Sequence, residues 1–131
     1  MEVNGYTIEP WANLEGANLE GANLEGANLE RANLERANLK GANLKGARLR
    51  SAWLTGAHLR RAHLIKANFT GANLVQSDVL GATFVGANLT DADVLVARMK
   101  TWNVTEADFL AGVLLGRGIT LGPYTEETLE D

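Results

Sequence analysis

Two histidines, His58 and His63, are the residues of this chain that could most readily bind a metal ion. They lie five positions apart in a sequence of 131 residues without cysteine, so thiolate ligands are excluded. No acidic residue occurs from position 36 to position 66, so no carboxylate accompanies them there. Asp78 is close enough only for a hydrogen bond to His58 if the chain coils. The sequence therefore predicts neither a metal site nor a cofactor.

Nucleophilic catalysis has equally little support in the sequence. Ser51 and Ser77 are the two serines, and Ser77 occupies a slot otherwise filled by small inward residues, where we expect its hydroxyl to bond the backbone. The glycines recur at regular intervals and do not form a phosphate-binding loop between a strand and a helix. A regular coil also lacks the concave pocket that an active site usually needs. We predict that the protein is not an enzyme.

The charged residues fall into three bands. Residues 1–35 carry seven acidic and one basic side chain, residues 36–66 carry eight basic and no acidic ones, and residues 67–131 carry nine acidic and three basic ones. The net charges of −6, +8 and −6 add up to −4. The basic band contains a candidate belt for an anionic partner. Its members are Arg48, Arg50, Trp53, Arg60, Arg61 and Lys66.

A five-residue repeat positions all of these side chains. From Ala12 to Gly116 the chain divides into 21 consecutive words of the type A-N-L-x-G, without insertion or deletion. One word advances about 500° on an α-helix, so the leucines would form no stripe. On a flat strand an odd period would point successive leucines to opposite faces. The period therefore predicts that the chain turns once per word and forms a β-solenoid.

Each slot of the word then has a physical role. The first slot, mostly Ala, and the third, mostly Leu, point inward, whereas the fourth and fifth face solvent. Asn or Asp in the second slot can bond local backbone groups at a bend. Gly in the fifth slot permits a positive φ. Because Arg31, Arg36, Arg61 and Lys66 also occupy that slot, we predict that a positive φ is not required at every corner.

The tandem words, such as Ala17–Gly21 and Ala22–Gly26, resemble those of the pentapeptide repeat family, and the resemblance covers residues 12–116. It implies an all-β fold, a right-handed quadrilateral parallel β-helix with four words per coil and about five coils. The period alone leaves a triangular coil of three words open. The family is abundant in cyanobacteria.

With four words per coil, residue n lies beneath residue n+20. Opposite charges would then stack in three pairs, which are Glu20 with Lys40, Glu25 with Lys45, and Glu30 with Arg50. On the fourth face Glu15 would stack with Glu35, and the adjacent Arg36 would relieve their repulsion. The belt residues would lie on different faces of a square rod and would not converge. We therefore interpret the basic band as a solvated, ion-paired surface, which argues against nucleic-acid binding.

The two ends are predicted to close the rod, because a solenoid otherwise exposes its core and its strand edges. We expect one domain over residues 1–131, with an N-terminal cap at residues 1–11 and a C-terminal cap at residues 117–131 that includes a short helical turn. Val3, Tyr6, Ile8 and Trp11 would pack over the first coil, and Trp102 would close the last. Without a signal-like start or an apolar run of about 20 residues, the chain is predicted to be cytoplasmic and not membrane-spanning.

The outward slots become apolar late in the chain, which is the feature that favours association. The candidate partner or dimer interface comprises Val75, Leu80, Leu95, Val96, Leu110 and Leu115. Two alternatives remain for what covers this apolar face. The C-terminal tail could fold back over it, or a second protein chain could bind there, including a homodimer through the C-terminal coils.

Two functions follow from these patterns. The first is a non-catalytic structural or protein-interaction module whose partner the sequence does not identify. The alternative comes from the resemblance, because some family members are DNA mimics that regulate or protect a type II topoisomerase such as DNA gyrase. This chain departs from those long acidic rods in its few coils and its basic middle band.

Overall fold

The computed structural model describes residues 1–94, and the chain begins with a short hairpin. Strand β1 (Glu2–Val3) pairs antiparallel with strand β2 (Tyr6–Thr7). Asn4 and Gly5 connect them with φ angles of 52° and 84°. Two successive positive φ angles are typical of the tight turns that suit the twist of a hairpin.

After the hairpin the backbone winds into a parallel β-helix with four words per coil. Single parallel bridges join second-slot residues of successive coils, from Asn13 with Asn33 to Asn73 with Asp93, and every bridge spans four words. Each joint uses two backbone bonds; Leu14 N–H donates to the Asn33 carbonyl at 2.7 Å and Asn33 N–H to the Ala12 carbonyl at 2.8 Å. The triangular alternative is therefore excluded, and residues 12–94 form just over four coils.

The first and third slots form one continuous core along the axis of the rod. Every leucine in the third slot from Leu19 to Leu64 has no exposed surface, and the alanines from Ala32 to Ala57 are equally inaccessible. Phe69 and Phe84 replace leucine farther along, with ring centroids 6.2 Å apart and planes tilted by 48°. Burying a leucine or phenylalanine side chain contributes about 1.5–3 kcal/mol, so these inward slots supply the main stabilisation.

Each corner of a coil is a tight turn with a positive φ in the fifth slot. The N–H of the next word's first residue donates to the third-slot carbonyl, as from Ala17 to Leu14 at 3.0 Å. The fifth-slot φ is positive in every word from Gly16 to Asp91, including 59° at Lys66. The prediction that some corners would avoid it is wrong. A positive φ at the third residue is typical of the type II turn, and every described corner adopts it whatever side chain is present.

The hairpin end differs from its predicted form at Trp11. Ile8 is buried, Val3 and Tyr6 pack against the core, and the Tyr6 hydroxyl accepts a bond from Asn18 N–H at 3.2 Å. Trp11 is instead 69% exposed, with the Arg31 guanidinium over its ring at 5.1 Å. Trp11 N–H donates to the Glu30 carbonyl as the later corner residues do, so Trp11 occupies an outward corner slot.

Several expectations fall beyond position 94. The fifth coil, the ring of Trp102 and the C-terminal cap at residues 117–131 lie outside the described residues. In the described part of the chain, no helix has the length and apolar character needed to cross a membrane.

Lys66 provides a test of the corner geometry. We expect Lys66→Gly to unfold at a higher temperature than Lys66→Ala, with a difference of about 1 kcal/mol, because the left-handed conformation penalises a Cβ atom. Both variants remove the same charged side chain, so their difference isolates the backbone. Equal stability in thermal unfolding followed by circular dichroism would show that φ at this corner is unstrained.

Candidate functional site

A ladder of second-slot side chains determines what the outer surface can present. In most words the Asn Oδ1 accepts a hydrogen bond from the N–H two residues later, as from Lys40 to Asn38 at 3.1 Å and from Val75 to Asn73 at 2.9 Å. Asp78 makes the same bond to Leu80 N–H at 3.2 Å. This local bond holds the side chain against the corner, as the sequence predicted.

One full turn of the chain, from the last word of the second coil through three words of the third, interrupts this ladder on all four faces. We call residues 47–66 the belt coil. Its four second slots hold Arg48, Trp53, His58 and His63 in place of Asn, and all four are exposed. The equivalent residues of the coils below and above are half-buried. The belt coil is therefore a ring of four large projecting side chains between two rings of short, restrained ones.

The sequence contained this signal, although it was interpreted differently. Arg48 and Trp53 belong to the belt predicted from the sequence, and His58 and His63 are its candidates for metal binding, yet the four fill equivalent slots of one complete turn. Four consecutive words without a second-slot Asn or Asp, bounded by words that mostly have one, are sufficient to find the ring.

The two histidines occupy adjacent faces, and neither is bonded to Asp78. His58 and Asp78 are bridged through their backbones. The Asp78 carboxylate accepts instead from Arg60 Nε at 2.5 Å and from Leu80 N–H, so the predicted hydrogen bond to His58 is wrong. Within residues 1–94 there is no group of three or more His, Cys, Asp or Glu residues suited to hold a metal ion.

The acidic and basic side chains stack in the predicted register, and Arg36 relieves Glu15 as expected, but the three predicted stacked pairs form no ion pair within residues 1–94. Among the described residues, ion pairs join Arg36 to Glu15 and Arg60 to Asp78. Glu20, Glu25 and Glu30 make none with the cations stacked one coil above them, and Glu20 accepts instead from Asn38 Nδ2 at 3.4 Å. Exposed ion pairs gain little in water, so register alone does not bring such charges together.

One face of the rod brings three cations together around a shallow depression. It has a volume of about 180 Å³ and is lined by Lys40, Arg60, Arg61, Leu80 and Gly81. Arg60 and Arg61 belong to one word and share this face. The other belt members lie in the words of the other three faces, which hold Arg48 and Arg50, Trp53, and Lys66.

The predicted apolar interface is only partly within the described residues. Val75 and Leu80 are half-buried, and Leu80 lines the depression. Val85 is not among the interface residues predicted from the sequence, but it is 40% exposed. Leu95, Val96, Leu110 and Leu115 lie outside the described part of the chain.

Ser77 is fully buried among the inward slots. Its hydroxyl has no hydrogen-bond partner within the described residues, so the predicted bond to the backbone is wrong. The slot is lined by close backbone walls whose polar groups already pair between coils. Ser51, at a corner, is half-buried.

Comparison with known proteins gives a consistent result for the fold. The sequence model of the pentapeptide repeats family matches eight copies of the repeat in residues 12–50, 42–79 and 67–95, which together cover more than half of the chain. No curated protein sequence matches the chain.

Two crystal structures illustrate the likeness. A pentapeptide repeat protein from Nostoc PCC 7120 is 38% identical with a TM-score of 0.60, and the match covers 60% of this chain. The match spans 65% of that protein, just under two thirds of its length. A pentapeptide repeat protein from the thylakoid lumen of Arabidopsis thaliana is 32% identical with a TM-score of 0.53, over 91% of this chain and 88% of its own.

A third match is more distant. The plasmid-mediated fluoroquinolone resistance protein QnrB1 is 19% identical over 61% of this chain and 64% of its own, with a TM-score of 0.32. A likeness this weak carries no argument about function.

Ser77 should be a site of easily gained stability. Ser77→Ala restores the residue typical of its slot and removes an unpaired buried hydroxyl, so we expect stabilisation by about 1–3 kcal/mol. The reverse change, Ala57→Ser, lies one coil below in the same slot and should destabilise to a similar extent. Chemical denaturation measures both, and a loss of stability in Ser77→Ala would contradict the unpaired hydroxyl.

His63 tests whether the belt coil gives up stability for its projecting side chains. His63→Asn should restore the bond from the N–H of Ile65, which lacks a second-slot acceptor in the native chain. We expect it to be more stable than His63→Ala by about 0.5–1.5 kcal/mol. Thermal unfolding at neutral pH gives the comparison, and indistinguishable variants would refute the ladder as a source of stability.

Proposed function

Because the chain belongs to the pentapeptide repeat family, we propose that it is a non-catalytic interaction module, a rigid rod whose outward slots bind a partner protein. The inward slots are occupied by the core and leave the outer surface as the part free to bind. Three backbone bonds per regular word join it to the next coil and hold that surface in fixed register. A partner would therefore meet side chains whose positions are set before binding, which lowers the entropic cost of association.

The observation that carries this proposal is the ring of the belt coil. Trp and Arg are the residue types most enriched where binding energy concentrates in interfaces. Trp53 is 54% exposed, and it shares its slot type with Arg48 and the two histidines around one coil. The fold itself does not require these side chains, because Asn in the same slots makes the corner bond.

Other features of the rod are proposed with this function. They are the right-handed quadrilateral form typical of the family, a single domain over residues 1–131, closure of the first coil by the β1–β2 hairpin, and a cytoplasmic location. The packing of Val3, Tyr6 and Ile8 on the core supports the closure. The half-buried Val75 and Leu80 are consistent with a homodimer through the later coils, which we retain as a proposal.

Mimicry of DNA toward a type II topoisomerase has no observation that favours it. A DNA mimic needs acidic side chains along its length. The first coil does carry a ring of four glutamates, Glu15, Glu20, Glu25 and Glu30, but the next two coils are mainly basic. The fold-level likeness to QnrB1 is too weak to outweigh this charge pattern.

The proposed function is tested with a variant that returns the belt coil to the common word. Arg48, Trp53, His58 and His63 are all replaced by Asn, which we expect to keep or raise the melting temperature while abolishing partner capture from the native host. The matched control replaces the four first-coil glutamates by Gln, an equal number of changes in outward slots of another coil.

Quantitative mass spectrometry compares the proteins retained by the native chain and both variants. The proposal requires that captured proteins are lost with the belt variant and kept with the first-coil variant. Equal retention by the native chain and the belt variant would overturn it, as would equal loss in both variants.

A further inference from the structure

We infer that the depression lined by Lys40, Arg60 and Arg61 is a binding site for a phosphoryl group. The ligand chemistry is a tetrahedral dianion, either inorganic phosphate or a phosphorylated side chain of the partner protein. The phosphorylated side chain rests on the proposed function, because it is the group that the partner protein would place in the depression. Three independent features of this face carry the inference, which are the stacking of its charges, their incomplete pairing and the form of its floor.

The first feature is a direct stack of like charges. Along this face the fourth slots of successive coils hold Glu20, Lys40, Arg60 and Leu80. Lys40 therefore lies directly beneath Arg60, and coils stack at a strand spacing of about 4.8 Å. In the equivalent columns of the described chain, Lys45 is followed by Ile65 and Arg50 by Thr70.

No other outward slot within residues 1–94 places two cations over each other in consecutive coils. Like charges directly opposite each other destabilise a sheet. A structural need for charge pairing does not explain this stack, whereas an anion bound between the two cations would relieve the repulsion.

The second feature is incomplete neutralisation. Asp78 pairs with Arg60 through Nε at 2.5 Å, and its second oxygen is held by Leu80 N–H at 3.2 Å. The carboxylate is thus fixed from two sides and orients the guanidinium, whose Nη groups make no bond within the described residues. Lys40 and Arg61 have no ion-pair partner among residues 1–94.

The three cations that line the depression and the Asp78 carboxylate paired with Arg60 therefore sum to +2. Glu20, one coil below Lys40, lowers the total for the whole face to +1. A phosphoryl group carries about −1.5 to −2 at neutral pH and offers three acceptor oxygens. Charge-assisted bonds from Arg and Lys to such oxygens are the strong class of hydrogen bond. A carboxylate has two acceptor oxygens, whereas the three oxygens of a phosphoryl group match the three cationic side chains.

The third feature is the floor of the depression. Gly81 lies one coil beyond Arg61 in the same slot, and a Cβ atom built on it would be 3.4 Å from Arg61 Cγ. The aliphatic stem of Arg61 therefore lies along the Gly81 backbone, toward the next coil. Leu80 and Gly81 thus form a floor without charge or bulk beside the three cations.

The site is tested by titrating the full chain with inorganic phosphate at constant ionic strength, followed by amide chemical shifts in NMR spectra. Shifts should concentrate at Arg61, Leu80 and Gly81. The double variant Lys40→Gln with Arg61→Gln should weaken binding about tenfold or more, because two charge-assisted bonds are lost. The matched control, Lys45→Gln with Lys66→Gln, removes equal charge from the same two slots on the neighbouring face and should change affinity less than about twofold.

A second variant guards against misfolding of the first. Leu80→Glu places a carboxylate in the depression, in a slot that holds Glu20 in the first coil of the same face, and should abolish phosphate binding without loss of the fold. Absence of shifts at high millimolar phosphate, or equal weakening in the double variant and its matched control, would overturn the inference. Acetate binding as tightly as phosphate would also overturn it.

The two sources of the phosphoryl group are separated with a short phosphoserine peptide and its unphosphorylated counterpart. Tighter binding of the phosphopeptide than of phosphate supports a partner's modified side chain, and tighter binding of phosphate supports the free ion. Shifts around the whole belt coil with a single-stranded oligonucleotide, stronger than with phosphate, would overturn the site in favour of nucleic acid. Phosphate binding together with failure of the belt-coil capture experiment would leave the site standing and remove the interaction module.

Discussion

Closure of each coil after four five-residue words is the constraint on which the rest of the structure depends. The backbone bonds of successive coils join equivalent slots four words apart, and this register sets which side chains meet. It makes the fifth-slot φ positive at every described corner, whether the residue is Gly, Lys or Arg. The strain at corners without glycine is offset by the bonds that closure makes. The same register places Leu and Ala inward and leaves the outer slots to vary.

This division explains how much could be predicted from the sequence. The solenoid, the inward slots, the Asn bonds and, through the family resemblance, the four-word coil were predicted, because each depends on a property repeated in every word. The corner angle was predicted wrongly, because Arg31 and Lys66 suggested a different turn, whereas every described coil repeats one corner geometry. Trp11 was placed over the core because its size suggested burial. Its backbone, however, already bonds as a fifth-slot corner residue, so its side chain points outward.

The charged surface was the least predictable part, and the reason is physical. Register predicts which Cα atoms stack, but an exposed charge has several neighbours within reach and water competes for all of them. Glu15 therefore pairs with Arg36, beside its stacked neighbour, and Arg60 pairs diagonally with Asp78. The shared face of Lys40, Arg60 and Arg61, in contrast, follows from the 20-residue register. The spacing does not show which of these cations pairs with a carboxylate.

Because every word has five residues, the number of words that precede a residue determines which of the four faces carries it. Loss or gain of one whole word would keep every inward slot inward, since the next word fits the same corner. Every later residue, however, would be rotated by a quarter turn about the axis of the rod relative to the earlier ones. Loss of a word between Lys40 and Arg60, for example, would move these two cations to different faces while the core stayed filled. Duplication or deletion of whole words can thus rearrange the surface of such a rod while every intermediate sequence still folds.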